Sequence, residues 1–489
     1  MIRKIALNII GSLVAAALAA CTMEPNYQRP APPVPALDGG TGGSAAADIG
    51  WRDFFPDPQL QQLIVIALAN NRDLRVAALN VQSAQAQYRI QRADLFPTVS
   101  VSGTEQAEHY PASVLAAQTG DAAAASALPV NGATLRTYNV GVGFTSYELD
   151  FFGRIRSLDH AALQQYFASE ETRRSEQITL VAEVATAYLT VLADQTLFDL
   201  TSQTLKSQSD SYDLTQKLFD HGATTALTLR QAESTVDTAR ANLALYTRQI
   251  AQDRDALELL LGAPIPLEID FSAGLDRANL VTELNEGIPS DVLQRRPDVL
   301  AAEHQLMAAN ADIGAARAAF FPSVSLTGSF GTESTQLSGL FKDHSQAWTF
   351  QPTISVPIFA GGANLANLDA AHLSRDTNVA QYEKAIQTAF REVQDGLVAR
   401  GSLNDQMAAQ QALVAASAEA YRLADMRYRG GVDTYLTALD AQRTLYGAQQ
   451  TLQQVRLTRL QNLVTLYKAL GGGLAEHSAP PQTAAGSAG

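Results

Sequence analysis

Met426–Arg443 reads MRYRGGVDTYLTALDAQR, and two long helical patterns meet inside it at Gly430-Gly431. The pattern before the glycines runs back to about Gly362 without a proline, and the one after them runs from Thr434 to Leu470. Glycine reaches positive φ at little cost, and Asp433 or Thr434 is a residue type that caps a helix start, so the stretch predicts a helical hairpin tip.

The same construction occurs at Gln216–Glu233, QKLFDHGATTALTLRQAE. Placing Gly222 on Gly431 gives an offset of 209, which also pairs Leu227 with Leu436, Ala232 with Ala441, Gly262 with Gly471 and Glu183-Val184 with Glu392-Val393. Ala93–Ser100, ADLFPTVS, matches Ala318–Ser325, AAFFPSVS, at an offset of 225. The difference of 16 residues is an extra loop in the first copy, between Gly103 and Ser146. The chain therefore reads as a tandem duplication, with a first repeat at 57–262, a linker at 263–290 and a second repeat at 291–471. Two copies are too few for a self-capping solenoid, so the halves must belong to one architecture.

Composition narrows the function. The 489 residues carry a net charge of −14, and loss of a leader with Arg3 and Lys4 would take it to −16, which disfavours nucleic acid as a partner. Aromatic residues are only 7% of the chain, which suits long, closely packed helices better than a thick globular core. The single cysteine, Cys21, excludes internal disulfides and a cysteine metal cluster. Arg3-Lys4, an apolar run from Ile5 to Leu18 and then Ala19-Ala20-Cys21 read as a leader at 1–20. The pattern resembles a bacterial lipoprotein signal, with Cys21 as the lipid-carrying first residue; the alternative is an ordinary leader with an incidental cysteine. Thr22, rather than Asp, follows it, which resembles sorting to the outer membrane.

Residues 21–56 are rich in Pro, Gly and Ala and predict an extended tether, and 472–489 predict a disordered tail. No apolar run after the leader approaches the roughly 20 residues of a membrane helix, so any spanning falls to strands. Strands are predicted at about 97–104, 136–149, 322–330 and 347–358. In them apolar residues such as Val99, Val101, Tyr138, Val140, Val142 and Phe144 alternate with Ser, Thr, Asn and Gly, as do Trp348, Phe350, Ile354 and Val356 in the second copy. That alternation is the signature of a membrane barrel, or of a soluble four-stranded sheet lying on helices. Four strands cannot enclose a barrel, and an open edge in a bilayer leaves backbone groups unpaired at several kcal/mol each. If the strands span, several chains share one barrel, and three chains give twelve strands.

Helices fill the rest. A helix from after Gly153 to about Asp220 would extend roughly 90 to 100 Å at about 1.5 Å per residue. The hairpin tips fall at about 217–225 and 427–435. No catalytic constellation is present. The seven histidines never fall at metal-ligand spacing, no glycine-rich phosphate loop follows a strand, and nothing implies a metal or another cofactor.

Several motifs together carry a resemblance: the lipoprotein leader, the tandem halves and the F-P-[TS]-V-S approach to the strands. To these are added Ser146–Gly153, SYELDFFG, Ser355–Gly362, SVPIFAGG, and Tyr428–Leu436, YRGGVDTYL. They resemble the outer-membrane efflux factors of Gram-negative bacteria, more narrowly the OprM/NodT-type lipoproteins of the TolC-like family. The resemblance implies an α+β membrane protein: a homotrimer whose 12-stranded transmembrane β-barrel, four strands per chain, continues into a long α-helical periplasmic barrel. It implies a non-enzymatic exit duct for drugs or other small toxic compounds. The partners would be outer-membrane lipid, a periplasmic adaptor and an inner-membrane efflux pump.

By position in the family motif, Leu436, Asp440 and Arg443 resemble aperture residues, and Tyr428 resembles a member of a hydrogen-bond network that holds the tip shut. Leu436 and Asp440, four apart, share a helix face, and Arg443 follows one turn on. Adaptor contact is implied at Arg427, Gly431 and Asp433 in one tip and at Gly222 and Thr224 in the other, where Leu218 stands in the place of Arg427. Capping is the alternative role for Asp433 and Thr224. A protein-secretion duct of the same build and a structural coiled-coil lipoprotein are the rival readings.

Overall fold

The computed structural model describes residues 22–35, 48–114, 131–278, 280 and 294–478. The leader and Cys21 lie outside the described residues. Helices are α1 (Trp51–Phe54), α2 (Pro58–Asn70), α3 (Arg72–Ala93), α4 (Arg154–Asp220), α5 (Ala226–Leu261), α6 (Pro297–Ala318), α7 (Ala363–Arg429) and α8 (Tyr435–Ala469). Strands are β1 (Val99–Tyr110), β2 (Ala133–Leu149), β3 (Ser323–Ser334) and β4 (Gln346–Ser355). Both α4 and α7 contain 67 residues, which is about 100 Å of helix each. The chain divides into two units, and α3, α4, α6 and α7 contribute residues to both.

The first unit holds the sheet, an antiparallel meander in the order β1-β2-β3-β4. Its register sorts the side chains. Val101 pairs with Val142, Val142 with Phe330 and Phe330 with Trp348, so one apolar row crosses all four strands. Ser100, Gly143, Ser329 and Thr349 form the neighbouring row on the opposite face. Trp348 is 74% exposed and Val101 78%, so among the described residues no helix covers this apolar face. β1 and β4 each leave one edge without a strand partner among the described residues.

A bulge keeps the face consistent. Between Phe144 and Tyr147, β2 spends one residue more than β3, and Ser146 takes φ +55°. The extra residue returns Tyr147 and Leu149 to the face of Phe144. β1 runs to Tyr110 and β2 begins at Ala133, beyond the expected limits of 104 and 136. Polar cross-strand contacts, including Arg136 to Glu105 at 3.1 Å, accompany the extension, and they have no apolar alternation to announce them.

In the second unit Tyr188 and Leu192 of α4 are fully buried, and Tyr188 lies 5.8 Å from Phe271, ring centre to ring centre. The Tyr188 hydroxyl donates at 2.7 Å to Asp57, which also caps α2 by accepting from Gln59 N. Burial and the Asp57 carboxylate push the Tyr188 phenol up. α4 contains an 18-residue window apolar enough to cross a membrane, contrary to the reading of the sequence; most of that window is buried in the protein.

Two helix ends are tied alike. Asn71 donates its amide to Leu260 O at the end of α5, and Arg296 donates a guanidinium N–H to Ala469 O at the end of α8, at 2.9 and 2.8 Å. Leu260 and Ala469 are 209 apart, and Asn71 and Arg296 are 225 apart, the two offsets seen in the sequence. Arg296 additionally pairs with Asp298 and Glu392.

Two stretches within the expected tether and tail make specific contacts. Thr22–Pro25 is held by contacts described below. In the segment expected to be disordered from 472, Ala475 O accepts from Trp51 N and Ser478 N donates to Asp53; the rest of that expectation, from 479, lies outside the described residues. The main-chain pairing across Trp51-Arg52 gives this stretch the partners that its composition alone does not promise.

Candidate functional site: the hairpin tips

At the second tip α7 ends at Arg429. Val432 N donates to Arg427 O and Gly431 N to Tyr428 O, both at 2.9 Å, with Gly431 at φ +73°. That is a Schellman closure, and positive φ is why glycine stands there. The first tip closes identically, with Ala223 N to Leu218 O at 2.8 Å, Gly222 N to Phe219 O at 2.9 Å and Gly222 at φ +73°.

The starts of the outgoing helices differ. Thr225 caps α5 through its hydroxyl, which accepts from Thr228 N at 3.2 Å. Thr434 is the N-cap of α8 and makes no side-chain cap bond. Asp433 is not a cap. Its carboxylate takes both Nε and Nη2 of Arg427, at 2.5 and 3.2 Å, so two predicted contact residues bind each other across the turn. Thr224, which matches Asp433, has Leu218 rather than an arginine across its turn.

Beneath the turns Ala232, Tyr435 and Leu439 form a small core, with Tyr212 and Tyr428 packed against it. The Tyr428 and Tyr435 rings lie 5.4 Å apart, tilted by 60°. Burial raises the Tyr435 phenol, against a hydrogen bond with Ser211 that lowers it. Tyr428 thus enters the site within this chain through ring packing. Gln442 adds a bond to Ser207 on α4, at 3.3 Å. Ser207, Ser211 and Gln442 escape sequence reasoning because small polar residues are spread along every helix here.

Leu436, Asp440 and Arg443 lie on an exposed flank of α8, next to the buried face of Tyr435, Leu439 and Gln442. Leu436 is 54% exposed, an apolar side chain presented to solvent beside the turn. No ion pair joins Asp440 to Arg443 among the described residues. Arg429 pairs with Asp425 at 2.9 Å, and both line a groove with Lys206, Asp210 and Tyr421. Among the described residues no three His, Asp or Glu side chains group as metal ligands. The tips thus present charged side chains over a small aromatic core.

The family model for outer membrane efflux proteins matches residues 63–263 and 288–472. The chain belongs to the outer membrane efflux protein family. This is a family of outer-membrane efflux proteins rather than of enzymes, and the protein is accordingly one of the outer membrane.

Among its relatives in the family, the toluene efflux pump outer membrane protein TtgC of Pseudomonas putida is 50% identical over 469 residues, covering 94% of both chains. The antibiotic efflux pump outer membrane protein ArpC, also of Pseudomonas putida, has the same identity and coverage. The open state of the Neisseria gonorrhoeae MtrE outer membrane channel superposes with a TM-score of 0.84 at 40% identity, covering 94% of this chain and all of that one. The family's fold is thus mainly helical with a small antiparallel sheet.

Proposed function

We propose that the protein is the outer-membrane exit duct of a tripartite efflux system, exporting drugs, solvents or other small toxic compounds. Three copies share a twelve-stranded transmembrane barrel continuous with an α-helical periplasmic barrel. The observation that carries this reading is the four-stranded sheet with an exposed apolar row, Val101–Val142–Phe330–Trp348, and two unpaired edges. Such a sheet satisfies its backbone in a bilayer only by pairing β1 of one copy with β4 of the next. The solvent and antibiotic pumps named for its relatives support the cargo class.

On this reading 1–20 is a lipoprotein leader and Cys21 carries the lipid at the head of the tether. The matched clamps Asn71–Leu260 and Arg296–Ala469 support tandem repeats at 57–262 and 291–471. The tips contact a periplasmic adaptor through Arg427, Gly431 and Asp433 and through Gly222 and Thr224, with an inner-membrane pump supplying energy. Leu436, Asp440 and Arg443 line the aperture, and Tyr428 braces it through Tyr435. Gating is the separation of these tips when the adaptor binds.

The native mass of the detergent-extracted protein tests the assembly. Three times the mass of one chain, falling to a single chain on heating, is the expected result; a monomer under mild extraction would sink the shared barrel.

A further inference from the structure

The stretch just after Cys21 is seated in the sheet-bearing unit, against α4 and α6. Two of its carbonyls are held: Asn310 Nδ2 donates to Pro25 O at 2.8 Å, and Arg317 Nη1 to Met23 O at 3.5 Å. Two glycines make room for it. A Cβ on Gly314 would lie 2.8 Å from N and Cα of Glu24, and one on Gly153 would lie 3.0 Å from Cα of Thr22. Gly314 sits inside α6, where glycine weakens a helix relative to alanine; what it provides is close approach, both of the segment and of Ser157 Oγ on α4, which would lie 2.5 Å from that Cβ.

Glu24 supplies the side-chain half of the attachment. Its carboxylate oxygens lie 2.9 and 3.1 Å from His160 Nδ1. His160 Nε2 lies 2.9 Å from Gln164 Nε2, and Gln164 Oε1 lies 2.7 Å from His304 Nδ1. Donors and acceptors must alternate along this line. With Gln164 so oriented, its amide N–H donates to a bare His160 Nε2. His160 is then neutral, with its proton on Nδ1 facing Glu24, and His304 donates from Nδ1. Charging His160 protonates Nε2, and the Gln164 amide must turn over to accept that proton. Its N–H then points at His304 Nδ1, which has to be bare. While the line is unbroken, either histidine can be charged but not both.

The geometry points to a latch: the groove between α4 and α6 holds the chain's own Thr22–Pro25 segment, and the Glu24–His160–Gln164–His304 line lets one histidine at a time carry a charge. Anything borne on Cys21 is thereby attached one residue before a fixed segment. The latch does not depend on the assembly or the gate proposed above.

The ionisable groups that face His160 are Glu24 from the segment, Asp159 on α4 and, through Gln164, His304 on α6. Glu24 holds the imidazolium above its ordinary range, against the burial of the ring. A raised histidine pKa contributes stability that is complete below the ordinary value of about 6.5 and is lost as pH rises through the raised one. The latch is tightest on the acid side of that window, and above it keeps only the neutral Nδ1–H to carboxylate bond.

The test uses the full-length protein extracted from outer membranes, with amide exchange for the segment and histidine C2–H exchange, both read by mass spectrometry. Gly314→Ala is expected to raise exchange at Glu24, whose N–H donates to Thr22 Oγ1, about tenfold, while helices away from the groove between α4 and α6 are unchanged. Glu24→Gln is expected to lower the His160 midpoint and raise that of His304, and added Gln164→Leu to abolish the His304 response. Loss of a nearby negative charge alone would move His304 the other way. Unchanged segment exchange in Gly314→Ala, or a His304 midpoint that falls or stays put in Glu24→Gln, overturns the latch. If Gly314→Ala does not fold, the two side-chain variants decide.

Discussion

Arg427 and Asp433 grip each other across the Gly430-Gly431 turn, two guanidinium N–H groups on one carboxylate, while Leu218 and Thr224 stand at the matching places of the first tip. The Arg427 guanidinium holds the Asp433 carboxyl below its usual range. A lowered carboxyl pKa contributes above the ordinary value of about 3.9 and is lost as pH falls through the lowered one, so the pair is intact at neutral pH. Arg427→Leu and Asp433→Ala should each speed amide exchange at Val432–Thr434 severalfold. The double variant should do no more than either, and the amides of 222–225 should not respond.

The exposed trio on α8 is the proposed aperture. Asp440→Ala with Arg443→Ala should raise single-channel conductance about twofold or more by removing a ring of charged side chains. Unchanged conductance from an intact assembly would remove these residues from the gate.

The two faces of the sheet should answer oppositely to charge. Trp348→Arg places a charge on the proposed lipid side, at a cost of about 2–4 kcal/mol near the bilayer midplane. Thr349→Arg, one residue on, turns the charge to the other face. Heat-resistant assembly in the membrane fraction should fall in the first variant and persist in the second.

Asp194 and Asp253 hydrogen-bond to each other between α4 and α5. Burial, then the Asp253 carboxyl, push Asp194 up to about 7. The folded protein therefore holds a proton that the unfolded chain gives up, and stability declines as pH rises from about 4 to 7. Asp194→Asn keeps the hydrogen bond without the charge. Its heat-dissociation temperature should exceed that of the unmodified protein at pH 8 and equal it at pH 5.

What could be read in the sequence followed from residues with few alternatives. Gly222 and Gly431 mark helix closures because only glycine takes positive φ without cost, and the alternation around Val142 and Phe350 marks strands with two unlike faces. The bulge at Ser146 was not legible, because a serine in the left-handed region carries no composition signal. Nor was the paired clamp. Asn71 and Arg296 differ in type and do the same work, each giving an N–H to the last carbonyls of a helix, so aligning the copies by identity passes over them. Asp433 is an expected capping type whose carboxylate is drawn instead to Arg427, a choice made by the turn geometry and not by the residue. The seat of Thr22–Pro25 depends on Gly314, nearly three hundred residues away, which no local pattern reports.

Conductance of the detergent-extracted protein in a planar bilayer, with its mass determined alongside, tests the central claim most directly. The account predicts discrete channel steps from a species of three chains, lost when heat separates them. A protein that inserts but never conducts, or that conducts as a monomer, would contradict it.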